Sequence, residues 1–151
     1  MVTAGPWRIA AVCTGNICRS AMAEVAWRDA VEGDAELRGR VEVTSAGVAR
    51  WDVGQDMDPR ARRALDRAGL TGEGTRASYA DTAYLTRQDL VVVMTRDHAL
   101  EVRRRAGAAT RVALVRDLAG DSPGLDLADP YYGDDAEFDA CLEVLRRAGR
   151  R

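Results

Sequence analysis

The sequence contains no lysine: all 22 of its basic residues are arginines. Mechanisms that need a lysine side chain, such as a Schiff base or a Walker-type phosphate site, are therefore excluded. The chain also has no excess of positive charge, since its 22 basic and 24 acidic residues give a formal net charge of −2. Nucleic acids and anionic membranes are bound by clustered positive charge. We therefore expect neither nucleic acid nor membrane as a partner.

Histidine and cysteine are scarce, with one histidine, His98, and three cysteines. No pair of cysteines or histidines has the spacing of a closed tetrahedral metal site, so we expect no metal. An odd number of cysteines does not make a disulfide framework, so we expect reduced thiols. His98 lies in the stretch TRDHALEV, which we predict to be helical, and we expect it to have a surface or capping role.

No long apolar run opens the chain. The brief run IAAVC near the N-terminus is too short for a secretory signal peptide or a membrane span. A cytoplasmic location is the expectation, and export by a route without a signal peptide stays open. The length of 151 residues, with 46% hydrophobic and 30% charged residues, is typical of one globular domain, which we predict over residues 1–151.

What the sequence does contain is an alternation of strand and helix patterns. Strands separated by helices imply βαβ units, hence a three-layer α/β domain with a central, mainly parallel twisted sheet flanked by helices. The segment from Gly120 to Asp134 is predicted to be a long loop of the kind that is often functional. The predicted strands are Arg8–Cys13, Val41–Ser45 (followed by a turn at Ala46-Gly47), Leu90–Met94 and Arg111–Val115, and the predicted helices are Arg19–Val31, Asp58–Gly69, Asp97–Arg105 and Asp135–Arg147.

The residues with the clearest chemical potential follow the first predicted strand, in the segment CTGNICRS at residues 13–20. A loop between a strand and a helix lies at the carboxyl edge of the sheet, where α/β folds bind ligands. Its backbone N–H groups and the helix N-terminus form an anion-binding nest, and Gly15 and Asn16 tolerate the left-handed conformations that such a curve needs. Cys13 is expected to be a nucleophile there, and the planar guanidinium of Arg19 can bind two phosphate oxygens. We therefore predict a site for a tetrahedral oxyanion above a nucleophile.

These residues belong to a longer pattern that resembles the low-molecular-weight protein tyrosine phosphatases. A cysteine and an arginine at this spacing are a weak signal alone, but the full pattern is specific and spans nearly the whole chain in order. The resemblance implies a protein-tyrosine-phosphatase that hydrolyses phosphotyrosine monoesters through a cysteinyl-phosphate intermediate. The motifs that carry it are VCTGNICRS, Ser45-Ala46-Gly47, Trp51-Asp52-Val53-Gly54 and Asp129-Pro130-Tyr131-Tyr132-Gly133.

The resemblance also implies a role for each catalytic group. Cys13 would attack phosphorus while Arg19 and the loop amides hold the phosphate oxygens. Asp129 would protonate the leaving tyrosine oxygen and then act as the base toward water. The other residues of the phosphate-binding loop would be Thr14, Gly15, Asn16, Ile17, Cys18 and Ser20.

Supporting and pocket residues follow from the same resemblance. Ser20 would donate a hydrogen bond to the sulfur of the nucleophile, and Asn16 would brace the loop with Ser45 as its partner. The substrate pocket would be walled by aromatic side chains suited to a phosphotyrosine ring. These side chains are Trp51, Tyr131 and Tyr132.

The partners implied are tyrosine-phosphorylated proteins or peptides, with inorganic phosphate as product and inhibitor and no metal or organic cofactor. Three positions depart from the family pattern. Ala21 replaces a proline that usually follows the serine, which would loosen the start of the first helix. Thr75 stands where many members have a histidine that supports the loop asparagine, and Thr95 stands where an aspartate is common, so the support of the loop is left open.

Three alternative functions stay open at this point. An arsenate reductase shares this fold and loop but needs further cysteines for a disulfide relay, and only Cys141, predicted to be a core residue, is left for it. A phosphoarginine phosphatase of the same fold tends to have threonine at the position of Ile17, whose apolar side chain suits an aryl ring better. A phosphotyrosine-binding module without turnover is disfavoured by the presence of Cys13, Arg19 and Asp129 together.

A redox role is predicted for Cys18. Cys13 and Cys18 belong to one tightly curled loop, so their sulfurs are expected to approach disulfide distance. Peroxide would convert Cys13 to a sulfenic acid, and Cys18 would condense with it to a reducible disulfide. Members of the family with this cysteine pair support the role by resemblance, while the alternative is that Cys18 only packs beneath the loop.

Overall fold

Four parallel strands form one sheet in the order β2-β1-β3-β4. The structure is a computed structural model and describes residues 6–72, 74–120 and 124–149. The first strand is interior, because it pairs with the second along its whole length and with the third at residues 9–12. The strands are β1 (Trp7–Cys13), β2 (Val41–Gly47), β3 (Leu90–Val93) and β4 (Val112–Leu114).

Helices cover both faces of this sheet, which confirms the predicted three-layer α/β fold. The helices are α1 (Arg19–Glu32), α2 (Pro59–Arg67), α3 (Thr82–Thr86), α4 (Arg96–Ala106), α5 (Val115–Ala119) and α6 (Asp135–Gly149). One buried cluster joins the sheet to α1, α2, α5 and α6, and a second cluster on the other face joins it to α3 and α4. Among the described residues, no helix combines the length and hydrophobicity needed to cross a bilayer.

The side chains of β1 alternate between the two faces, as those of a buried strand must. Ala11 and Cys13 belong to the cluster that contains α1 and α6, and Ala10 and Val12 belong to the opposite cluster. Cys13 is therefore the last residue of the central strand and points toward the α1 side. The chain then continues through a short loop into α1, so this loop lies at the carboxyl edge of the sheet.

The boundaries of several elements differ from those predicted. β2 continues through the predicted turn to Gly47, because Gly47 is paired with the end of β1 in the parallel ladder. The predicted last strand is shorter, since Val115 begins helix α5. Two helices of five residues, α3 and α5, were not predicted. A helix of little more than one turn is too short to produce a periodic hydrophobic pattern.

The helix start predicted at Asp58-Pro59 is present as the N-terminus of α2. Asp58 is its N-cap and accepts a hydrogen bond from the backbone N–H of Arg60, and Pro59 occupies the first turn. Helix α4 begins one residue earlier than predicted, with Thr95 as its N-cap. In the predicted loop 120–134, residues 121–123 lie outside the described residues, and Pro130–Tyr132 forms a turn of 3₁₀ helix.

Candidate active site

The loop between β1 and α1 owes its curve to one asparagine and to the absence of a side chain at Gly47. Asn16 has a φ of 61°, the left-handed conformation that asparagine tolerates better than most residues. Of the two residues predicted to tolerate this conformation, Asn16 adopts it and Gly15 does not. A Cβ at Gly15 would meet the carboxylate end of the Asp52 side chain, which would have to move aside. A Cβ at Gly47 would lie 2.5 Å from the carbonyl oxygen of Thr14, so the loop rests directly on the end of β2.

The side chain of Asn16 is buried and makes hydrogen bonds through both ends of its amide. Its Nδ2 donates to the hydroxyls of Ser20 at 2.8 Å and Ser45 at 2.9 Å. Its Oδ1 accepts the backbone N–H of Ser78 at 2.9 Å. Thr75 is not among these partners, and the backbone of Ser78 provides the support that was in question. The left-handed residue is thus held by β2 and by the segment before α3.

A buried carboxylate extends this network below the loop. Glu24 on α1 accepts a short hydrogen bond from the Ser45 hydroxyl and forms an ion pair of 2.7 Å with Arg28. Ser45 therefore connects Asn16 to a charged group on α1. Sequence reasoning missed Glu24, because a charged residue in a helix is ordinarily solvent-exposed.

The thiol of Cys13 lies beneath the loop, beside a hydroxyl. Cys13 is buried, and its Sγ is 2.9 Å from the Oγ of Ser20. Ser20 accepts a hydrogen bond from Asn16, so its own hydroxyl hydrogen can be donated to the sulfur at 2.9 Å or to the more distant carbonyl oxygen of Ala46 at 3.5 Å. Hydrogen bonding to the charged form of a group stabilises that form. The arrangement is suited to a thiolate.

The guanidinium of Arg19 faces the same space and is only 3% exposed. Its Nη1 donates to the carbonyl oxygen of Leu127 at 2.9 Å. Its Nη2 lies 3.4 Å from Asp129 Oδ2 and 3.5 Å from Thr14 Oγ1, both long contacts. Its Nε is buried and has no hydrogen-bond partner among the described residues. A buried N–H of a charged group without a partner is costly, and an anion bound at this point would satisfy it.

A cavity of about 310 Å³ opens above these groups. The aromatic side chains predicted to wall the pocket stand around its mouth: Trp51 is 78% exposed, Tyr131 43% and Tyr132 95%. Asn16, Ser20 and Ser45 do not line the cavity and support it from below. Among the described residues, no group of three or more His, Cys, Asp or Glu side chains could hold a metal ion. The residues that line the cavity are Cys13, Thr14, Gly15, Ile17, Cys18, Arg19, Trp51, Asp52, Asp129, Tyr131 and Tyr132.

Asp129 reaches this cavity from the loop before α6. Its Oδ1 accepts the backbone N–H of Tyr131 at 3.0 Å, which begins the 3₁₀ turn. Its Oδ2 forms an ion pair with Nη2 of Arg19 at 3.4 Å. The carboxylate is therefore held at the side of the cavity, above the buried guanidinium and within reach of a ligand.

An arginine of α2 that sequence reasoning missed ties this loop to the phosphate-binding loop. Arg60 donates from Nη1 to the carbonyl oxygen of Gly133 at 3.1 Å, and its guanidinium lies 5.2 Å from the centre of the Tyr131 ring. Its Nη2 also pairs with Asp58 at 2.9 Å, and the backbone N–H of Asp58 donates to the carbonyl oxygen of Ile17 at 2.9 Å. Burial raises the pKa of Asp58, but the hydrogen bonds from Arg60 outweigh this and leave that pKa below its usual value.

The sequence profile of the low molecular weight phosphotyrosine protein phosphatase family matches residues 8–151. The chain belongs to this family. The predicted family is thereby confirmed, and so is the predicted enzyme class, protein-tyrosine phosphatase.

Relatives of this phosphatase chain match it over nearly its whole length. A low molecular weight protein-tyrosine-phosphatase of Streptomyces coelicolor is 40% identical over 147 residues, covering 94% of this chain and 88% of that protein. Low molecular weight protein-tyrosine phosphatase A of Mycobacterium tuberculosis is 38% identical over 149 residues, covering 95% and 87%. The crystal structure of YfkJ from Bacillus subtilis superposes with a TM-score of 0.87 at 27% identity and covers 99% of this chain and 93% of that one.

Cys18 is a buried free thiol that lines the same cavity as Cys13. Burial raises the pKa of the Cys18 thiol well above its ordinary value, and the negative charges of Asp58 and Asp129 add to this effect. Cys18 is therefore a neutral thiol at physiological pH. Cys141 is buried within α6, as predicted.

The location predicted for His98 was wrong. It was expected at the surface or in a capping role, but it is buried, and Thr95 provides the cap by accepting the backbone N–H of His98 at 3.1 Å. The imidazole of His98 instead contacts the side chain of Thr14 in the phosphate-binding loop. This contact could not be predicted from the stretch TRDHALEV, because the order of the strands in the sheet decides which side of α4 faces the loop after β1.

Proposed function

We propose that this phosphatase hydrolyses phosphotyrosine monoesters of proteins or peptides through a cysteinyl-phosphate intermediate on Cys13. The observation that carries the proposal is the convergence of three groups on one cavity. These are the thiol of Cys13, the guanidinium of Arg19 with its unpaired Nε, and the carboxylate of Asp129. A nucleophile, an anion-binding group and an acid are the parts that a phosphate monoester hydrolase needs.

In the first step, the thiolate of Cys13 attacks phosphorus and the bond to the tyrosine oxygen breaks. Arg19 and the loop amides hold the other phosphate oxygens and stabilise the charge that develops on them. Asp129, in its protonated form, donates its proton to the leaving oxygen, so that neutral tyrosine departs. The 3.4 Å between Arg19 and Asp129 supports this assignment, because a phosphate bound to Arg19 would lie beside the acid.

In the second step, water attacks the phosphorus of the cysteinyl-phosphate. Asp129, now a carboxylate, removes a proton from this water, and the bond between sulfur and phosphorus breaks. The thiolate of Cys13 leaves with both electrons, stabilised by the hydroxyl of Ser20 at 2.9 Å. Inorganic phosphate is the product, and we expect it to inhibit competitively because it fits the same loop.

The depth and walls of the cavity predict a preference for phosphotyrosine over phosphoserine. Trp51 and Tyr131 stand at the mouth, with Ile17 and the thiol of Cys13 further in. A phenyl ring is long enough to pass the aromatic side chains at the mouth and place its phosphate at the sulfur of Cys13. The shorter serine side chain would hold its phosphate away from the sulfur. Since a displacement of about 1 Å can cost about 10²-fold in rate, we expect kcat/KM for a phosphotyrosine peptide to exceed that for the matched phosphoserine peptide by roughly this factor or more.

The control is one peptide sequence with phosphotyrosine, phosphoserine or phosphothreonine at the same position. Ile17→Thr places a hydroxyl on the apolar wall of the cavity. Compared with the wild type, this variant is expected to have a lower kcat/KM for phosphotyrosine and a higher kcat/KM for phosphoarginine. Equal kcat/KM values for the phosphotyrosine and phosphoserine peptides would show that Trp51, Tyr131 and Ile17 do not form a pocket selective for phosphotyrosine. If the wild type hydrolysed phosphoarginine faster than phosphotyrosine, this would favour the alternative function, a phosphoarginine phosphatase of the same fold.

We also propose that Cys18 protects Cys13 from irreversible oxidation. Peroxide would oxidise the thiolate of Cys13 to a sulfenic acid and would itself be reduced to water. The thiol of Cys18 would then form a disulfide with Cys13, releasing a second water molecule, and a dithiol reductant would restore both thiols. The support is that both thiols are free and border one cavity, with Cys18 as a neutral thiol at the N-cap of α1.

This role predicts different recoveries after oxidation. Treated with peroxide and then with a dithiol, the wild type is expected to regain most of its activity, whereas Cys18→Ser is expected to stay largely inactive. Cys141→Ser is the matched control, because it removes the other remaining thiol and should recover like the wild type. Equal recovery of wild type and Cys18→Ser, or the absence of a loop disulfide in mass spectra of the oxidised enzyme, would assign Cys18 a packing role.

A further inference from the structure

The only histidine of the chain is buried against the phosphate-binding loop. His98 lies in the first turn of α4, is 6% exposed, and its Nε2 is 2.9 Å from the hydroxyl of Thr14. Its Nδ1 is also buried and has no hydrogen-bond partner among the described residues. The catalytic steps proposed above do not use this imidazole, so its position calls for another explanation.

The surroundings of His98 decide where its single ring proton sits. Burial and the nearby charge of Arg19 lower the pKa of His98 to about 4, so the ring is neutral at physiological pH. A neutral imidazole carries its proton on one nitrogen only. A proton on Nδ1 would be a buried donor without an acceptor, which is rarer and costlier than a bare acceptor. The proton is therefore on Nε2, and Nε2 donates to Thr14 Oγ1.

This donation limits what the hydroxyl of Thr14 can do. The Oγ1 of Thr14 has two lone pairs, and it also lies 3.5 Å from the donor Nη2 of Arg19. With a donor on each side, His98 and Arg19, the oxygen acts as an acceptor toward the protein. The hydrogen of its hydroxyl then has no acceptor among the described residues. Because Thr14 lines the active-site cavity and is partly exposed, this hydrogen is left to donate to water in the cavity or to a ligand bound there.

We propose that His98 is a positioning residue that holds the Thr14 hydroxyl as a hydrogen-bond donor to the phosphate group of the substrate. This inference rests on the proposed function, since it takes the ligand of the cavity to be a phosphate. It adds a side-chain donor to the loop amides and Arg19, and it makes the substrate affinity depend on a residue of α4 that touches no substrate atom.

The test is a double-mutant cycle read by the inhibition constant of inorganic phosphate. Thr14→Val removes the hydroxyl at nearly constant volume and is expected to raise this constant roughly tenfold, as for a lost hydrogen bond to a charged group. Thr14→Ser keeps the hydroxyl and is expected to recover most of the phosphate affinity that Thr14→Val loses. His98→Asn, which is too short to reach Thr14, should lose about as much as Thr14→Val, and the double variant no more than either alone.

A rescue variant separates positioning from a general packing role. The amide nitrogen of a glutamine can occupy the place of Nε2, so His98→Gln is expected to recover most of the phosphate affinity that His98→Asn loses. Additive losses in the double variant, or equal losses in His98→Gln and His98→Asn, would overturn the inference. Wild-type affinity in Thr14→Val would overturn it as well.

A second measurement needs no variant. Because the chain has one histidine, the imidazole nitrogens can be assigned without ambiguity in a nitrogen-resolved NMR spectrum of the labelled wild type. We expect a neutral ring with its proton on Nε2, and a shift of this signal when inorganic phosphate is added. A proton on Nδ1 would overturn the inference even if every variant failed to fold. Failure of the proposed function would be distinct, since the wild type would then neither hydrolyse aryl phosphates nor bind phosphate.

Discussion

Replacing Cys13 with serine is expected to lower the turnover of aryl phosphates by roughly 10⁴-fold or more, as when the nucleophile of a covalent mechanism is removed. A serine hydroxyl is a poor nucleophile unless a base removes its proton. Among the described residues, the side chain in hydrogen-bond contact with this sulfur is Ser20, itself a hydroxyl, and the imidazole of His98 is directed at Thr14. The measurement is the steady-state kcat with an aryl phosphate.

The same variant should still bind phosphate. Arg19 and the loop amides are unchanged, so the dissociation constant of inorganic phosphate, measured by calorimetry, is expected to stay within a few-fold of the wild-type value. Cys141→Ser is the control, because it makes the same chemical change at a thiol of α6 and should retain most of the turnover. Substantial turnover by Cys13→Ser would contradict the cysteinyl-phosphate, and a loss of phosphate binding would mean that the loop had changed shape.

The parts of the fold that could be predicted are those whose signals lie in neighbouring residues. The apolar run of β3 and the Asp58-Pro59 start of α2 are local patterns, and both correspond to elements of the structure. The helices α3 and α5 have five residues each and make little more than one turn. Such helices are stabilised by the surface on which they pack, so their own residues carry no sufficient signal.

The same division applies to the candidate site. The string from Cys13 to Ser20 is contiguous, so its role as an anion-binding loop could be inferred from the order of strand, loop and helix. The contacts of Ser78 and His98 with this loop connect residues far apart in the chain. They arise because β1 lies at the centre of the sheet, between β2 and β3, whose following segments reach the same edge. No spacing in the sequence encodes which of those residues face the loop.

The position of Asp129 could not be predicted from the sequence either, because it depends on contacts made by Arg60. The distal loop was recognisable by its motif, but the motif does not say what holds it over the cavity. In the structure, Arg60 bonds to the carbonyl oxygen of Gly133 and packs against the ring of Tyr131. The ion pair of Arg60 with Asp58 then connects this loop to the phosphate-binding loop. The loop that carries Asp129 and the loop that carries Arg19 are thus fixed to each other through α2, and the two side chains lie 3.4 Å apart.

This geometry leads to the second large effect, in Asp129→Asn. If Asp129 protonates the leaving oxygen, an asparagine should slow esters with basic leaving groups, such as phenyl phosphate and phosphotyrosine, by roughly 10²–10⁴-fold. Esters whose phenolate leaves readily without a proton, such as a dinitrophenyl phosphate, should be slowed much less. The result to measure is the slope of log kcat/KM against the basicity of the leaving group, which should become steeper in the variant.

The matched control is Asp52→Asn, because Asp52 lines the same cavity beside Gly15 and its replacement removes the same charge. A purely electrostatic effect of removing a carboxylate would change all substrates alike in both variants, since it acts on the bound phosphate and not on the leaving oxygen. A steeper slope in Asp129→Asn alone would therefore assign proton transfer to Asp129. Equal losses of Asp129→Asn on basic and non-basic leaving groups would remove it from that role and would leave the second carboxylate of the cavity, Asp52, as the acid to test next.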